Sequence, residues 1–179
     1  MSVVAHIPNA LTILRIALVP LICVFMWIDT FSARIVAIIL LFIACISDFF
    51  DGKIARKYKV VSAFGRCLDP IADKVLIMAV IVMLVSVEKA WLLPSIAILF
   101  REFVISGIRE FAAKERQITI YVSKLAKYKT ATQMTALIFL VCTGTNFMTL
   151  LIGNILLSIA ALLSVITSIQ YIWSVRKIF

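Results

Sequence analysis

Charge is scarce in this sequence: Asp, Glu, Lys and Arg together make up 15% of it, against about 25% in a soluble domain. A chain of 179 residues that is 64% apolar cannot cover a water-soluble fold with so few polar side chains, and the bilayer is its natural solvent. Histidine is rarer still. His6 stands alone, so a histidine-based triad has no second imidazole to draw on. Cys23, Cys45, Cys67 and Cys142 show neither CxxC nor Cys/His metal spacing and read as small buried hydrophobes. Met1 to Asn9 lacks a basic stretch and no small-residue cleavage site follows, so no cleavable signal peptide is expected. No polar tract is long enough for a soluble domain, and residues 1–179 are expected to form one integral membrane domain.

Apolar runs fall at about 11–28, 35–56, 70–87, 91–111, 130–147 and 149–173. A hydrocarbon core about 30 Å thick takes roughly 20 apolar residues per helix, so six transmembrane helices are expected. Strands of a membrane barrel would be shorter and would alternate polar with apolar residues. The connections differ sharply in charge. Segments 28–34, 86–91 and 143–149 hold only Arg34 and Lys89 as cations, whereas 52–68 and 101–129 hold twelve. Basic connections stay on the cytoplasmic side, which puts both termini there too. The net charge of +9 therefore marks one membrane face and anionic headgroups, not nucleic acid.

Four carboxylates break the apolar pattern. Asp48 and Asp51, three apart at the end of one apolar run, share a helix face. Asp69 and Asp73, four apart at the start of the next, do the same, with Asp69 expected as N-cap and Pro70 at the first helical position. Four carboxylates at a membrane boundary repel one another and resist desolvation. Hard divalent ions such as Mg²⁺ or Mn²⁺ suit clustered carboxylate oxygens, and two of them would clamp a pyrophosphate. Gly52 and Gly65 permit close backbone approach, Ala55 keeps its helix face open, and Arg56 offers a planar fork to phosphate.

The run of Asp48, Asp51-Gly52, Ala55-Arg56, Gly65, Asp69 and Asp73 resembles the signature of the CDP-alcohol phosphatidyltransferases, eight fixed residues over 26 positions. The resemblance implies a six-helix membrane fold, two divalent cations, a CDP-linked lipid donor and usually a homodimer. It implies Asp48, Asp51 and Asp69 as principal metal ligands. Asp73 would share one ion and act as the base that deprotonates the acceptor alcohol. Gly52, Ala55, Arg56 and Gly65, with Asn9 and Thr12 from the N-terminal segment, would bind the cytidine diphosphate.

Two further polar stretches bear on the acceptor. Arg101 and Arg109, eight apart, lie about two turns from each other and share a face, and Lys127 falls in a second cationic stretch. Together they suit a small phosphorylated acceptor. Both stretches, and Ile7 to Thr12 with Arg15 one turn later, resemble the branch of the family whose acceptor is glycerol 3-phosphate. That resemblance implies transfer of the phosphatidyl group from CDP-diacylglycerol to glycerol 3-phosphate in a bacterial inner membrane, with the site facing the cytoplasm. Serine, an inositol phosphate or phosphatidylglycerol are the rival acceptors, and serine would not need the cationic cluster. A cation transporter using the carboxylates is the rival from another class. A transport site lies nearer the midplane, whereas these carboxylates sit at one edge beside basic residues.

Overall fold

The computed structural model describes residues 7–58, 63–116 and 124–176. Over them the chain forms α1 (Ile7–Ile28), α2 (Phe31–Tyr58), α3 (Ala63–Ser86), α4 (Leu92–Arg116), α5 (Lys124–Cys142) and α6 (Phe147–Arg176), with no strand among the described residues. Each apolar run of the sequence centres on its own helix, although the fifth, 130–147, overruns the end of α5 at Cys142 and reaches the first residue of α6. α1 over Asn9–Ile28 and α6 over Phe147–Trp173 are long and apolar enough to cross a membrane, and α2 holds a shorter apolar stretch, Phe31–Ser47. Charges enter the runs of α2 and α4 at their C-terminal ends and that of α3 at its start, which sets these three apart from the uninterrupted apolar stretches of α1 and α6.

One expected boundary moves. α3 already runs from Ala63, so Asp69 is inside the helix and is not its N-cap. Pro70 then forfeits one backbone hydrogen bond within the helix, which the turns on either side of it outlast.

The chain divides into two compact units, residues 1–84 and 85–179. In the first, α1 packs on α2. Leu18, Ile22 and Met26 bury one stripe of α1, and α2 contributes Ala33, Ala37, Leu41 and Ala44. Small residues at near four-residue spacing let two helix backbones approach closely, the usual device where lipid supplies no hydrophobic drive between helices. Asp29 closes α1 in the left-handed region, with φ 50° and its N–H on the Phe25 carbonyl at 3.3 Å. Thr30 then caps α2, its Oγ1 accepting from the Ala33 N–H at 3.3 Å. A two-residue turn thus joins antiparallel helices.

In the second unit α6 packs on both α4 and α5. Gly153 of α6 makes the α5 contact possible, because a Cβ there would collide with the Leu140 side chain. Asn154 ties the ends together. Its Oδ1 accepts from the Trp91 N–H at 2.6 Å, and its Nδ2 donates to the carbonyls of Lys89 at 2.8 Å and Leu150 at 2.9 Å. Lys89, also buried, donates to the Thr143 carbonyl at 2.9 Å. Asn154→Ala should cost about 2 kcal/mol by stranding the Trp91 N–H and the Lys89 carbonyl, measurable as a lower thermal unfolding midpoint in detergent.

Most of the remaining helix surface is apolar and exposed, including Trp27 and Phe31 in the first unit and Leu93 and Phe147 in the second. Of the cysteines, Cys23 and Cys45 are half-buried and Cys142 is exposed. The expectation of buried thiols therefore fails for Cys142. A weakly polar thiol on an outward helix face suits lipid as well as it suits a core. Cys67 lies on α3, and its side chain is outside the described ones.

Candidate active site

The first unit holds the carboxylates. α2 stays helical through Asp48, Asp51, Gly52, Ala55 and Arg56, and α3 through Gly65, Asp69 and Asp73. The paired spacings are therefore spacings along continuous helices, on either side of the connection 59–62. The side chains of Asp48, Asp51, Ala55, Arg56 and Asp69 are outside the described ones, as are the surroundings of Gly52 and Gly65. Asp73 is described, and it is not alone. Arg15 of α1 donates to Asp73 Oδ1 at 2.7 Å, a short charge-assisted bond. The Arg15 side chain is 0% exposed and that of Asp73 50%. Thr12, one turn before Arg15, is buried, and Asn9 is half-buried. Asn9, Thr12 and Arg15 follow one another at three-residue spacing, so α1 presents a polar stripe that turns apolar at Leu18.

Arg15 carries no role in the sequence reading beyond its place in a resemblance, yet a signal was present. It is the sole Lys or Arg before Arg34, and an ionisable residue inside an apolar helix is expensive enough to mark function or a specific partner.

The second unit holds the cationic stretches. Arg101 is described, whereas the side chains of Arg109 and Lys127 lie outside the described residues. Arg101 Nε donates to Ser168 Oγ of α6 at 2.9 Å, and its guanidinium also donates to Glu102 Oε1 at 3.1 Å. Lys129 of α5 donates to the same Glu102 oxygen. Glu102 thus binds two cations and joins α4 to α5, while Arg101 carries the network on to Ser168 of α6. Two of the five N–H groups of Arg101 are used in these bonds, so any phosphate it holds must be met by the others. Glu102 and Lys129 fall in the two polar stretches but have no role of their own in the sequence reading, and Ser168 was not singled out. Lys129 and Gln133, both buried and four apart, were the available clue, since they place two polar side chains on one face of α5.

Four aspartates in this register on consecutive helices define the class. The chain belongs to the CDP-alcohol phosphatidyltransferase family, whose model matches residues 5–169. Among curated relatives it is similar to a CDP-diacylglycerol–glycerol-3-phosphate 3-phosphatidyltransferase of Rickettsia bellii, 46% identical over 182 residues and covering 100% of both chains. The protein of the same name from Haemophilus influenzae is 39% identical over 93% of this chain and 91% of its own. A third, from Arabidopsis thaliana, is 37% identical over 99% of this chain and 82% of its own.

Proposed function

We propose that the protein transfers the phosphatidyl group of CDP-diacylglycerol to glycerol 3-phosphate, giving phosphatidylglycerophosphate and CMP. One observation carries this reading: identity of 46% over the full length of a relative so named, with the eight-residue signature unbroken on α2 and α3. Asp73 accepts the proton of the acceptor's 1-hydroxyl as that oxygen bonds to the phosphorus next to diacylglycerol. The bond from that phosphorus to the CMP oxygen breaks, and CMP departs. Asn9, Thr12, Gly52, Ala55, Arg56 and Gly65 bind the cytidine diphosphate. Arg101, Arg109 and Lys127 hold the acceptor's phosphate, Arg101 through the N–H groups that Glu102 and Ser168 do not use.

The donor set is all carboxylate oxygen, which fits a hard divalent cation. Asp48, Asp51 and Asp69 would hold two ions, Mg²⁺ or Mn²⁺, with Asp73 sharing one while its Oδ1 stays on Arg15. When bound, such ions neutralise the pyrophosphate and the departing CMP. The rest of the rate enhancement is positioning and electrostatics supplied by the chain.

We read the chain as one catalytic domain with six membrane spans, both termini cytoplasmic and the site on the cytoplasmic face of a bacterial inner membrane. The charge asymmetry of the connections supports the orientation. The exposed apolar helix faces support the membrane setting, and a family match crossing both units supports a single domain. A homodimer accompanies the family resemblance.

The test is CMP release by purified protein in detergent with CDP-diacylglycerol, Mg²⁺ or Mn²⁺, and each acceptor separately. Release with glycerol 3-phosphate alone, abolished by a chelator and restored by excess metal, is the expected result. Release with serine or an inositol phosphate instead would keep the metal site and overturn the acceptor assignment.

A further inference from the structure

The mechanism above leaves Arg15 without a task. It is a guanidinium wholly inside the first unit, on a helix whose next buried positions are Leu18, Val19 and Ile22. A leucine at this position would avoid the desolvation that a buried charge suffers. The pair it forms is also lopsided: the Arg15 side chain is 0% exposed, whereas that of Asp73 is 50%. Here the buried member is the immobile one, and the accessible member is the carboxylate assigned as base.

The rigidity of Arg15 has a visible source. α1 is packed on the alanine stripe of α2 and closed at its far end by Asp29 and Thr30. Arg15 therefore projects from a well-held element. A carboxylate side chain has staggered χ1 wells and a broad χ2 open to it. A 2.7 Å bond to Oδ1 from an immobile donor selects one setting.

We propose that Arg15 is a positioning residue for the transfer, fixing the Asp73 carboxylate by its Oδ1 so that its accessible side meets the acceptor hydroxyl. This rests on the reading of Asp73 as the base. The Arg15 side chain is 0% exposed, which suits a role exerted through its neighbour. It acts through Asp73, and a small rotation of that carboxylate is enough to spoil proton transfer.

The experiment is a double-mutant cycle on the full-length protein in detergent: Arg15→Gln, Asp73→Asn and the double variant, with Arg15→Lys beside them. The readouts are kcat and KM for both substrates, with circular dichroism and monodisperse elution as fold controls. Arg15→Gln should lower kcat about 10²-fold, the scale of a misplaced reacting group, with both KM values within about threefold. Arg15→Lys should recover part of that loss. In the Asp73→Asn background, Arg15→Gln should change the residual rate by less than about threefold, because residues acting as a unit are not additive.

Arg15→Gln at wild-type kcat, with Asp73→Asn inactive, would overturn the positioning role. So would an equal loss from Arg15→Gln in both backgrounds, which describes a structural residue independent of the base. Asp73→Asn at wild-type rate would instead overturn the assignment of the base itself. If Arg15→Gln does not fold, Arg15→Lys decides: a lower kcat at unchanged KM supports the role, and an unchanged kcat overturns it.

Discussion

Asp73→Asn should lower CMP release by about 10³-fold, within the range of losses that follow removal of a general base. The substitution keeps the size of the side chain, and an amide oxygen at the Oδ1 position would still accept from Arg15. The helix and its tie to α1 should therefore survive, and KM for CDP-diacylglycerol should stay within about threefold. What is lost is a group able to take the hydroxyl proton. The measurement is steady-state CMP release beside a circular dichroism spectrum matching the parent. A folded Asp73→Asn protein with turnover within about tenfold of wild type would remove Asp73 from the chemistry and move the search for the base to another carboxylate of the signature.

The second large effect concerns stability. Glu102→Ala should destabilise the protein by about 3 kcal/mol, because removing one partner of a buried ionic group leaves the others uncompensated. Lys129 and Arg101 both depend on Glu102 Oε1, and their side chains are 4% and 11% exposed, so water cannot replace the carboxylate freely. For a chain of this size the loss corresponds to a fall of roughly 10 °C in unfolding midpoint, read by thermal denaturation in detergent. The sign of the explanation is checked by Glu102→Met combined with Lys129→Met. Removing the charges together should cost less than Glu102→Ala alone, because less charge is then stranded. Equal losses in the two variants would mean that packing, not charge pairing, explains the effect.

The proposed site could be read from the sequence because its chemistry would impose local spacing. Asp48 and Asp51 must lie one turn apart, as must Asp69 and Asp73, and helical register turns that demand into sequence intervals of three and four. Helix number was legible for a similar reason, since a bilayer thickness translates into run length. The start of α3 was misplaced because Pro70 suits a first helical turn, and the sequence does not show how far a helix will extend ahead of a tolerated proline. The partners were not legible at all. Arg15 and Asp73 are 58 residues apart, and Lys129 and Glu102 are 27 apart; no interval rule connects positions on different helices.

By itself, then, the sequence determined the family, the all-helical architecture and the identity of the four aspartates, each being written in short-range spacing and composition. Only the tertiary structure decided which cation each described carboxylate meets. Asp73 goes to a buried arginine on α1, and Glu102 to Arg101 and to a lysine on α5. Those pairings depend on which faces of packed helices come together, and no local interval of the sequence states that.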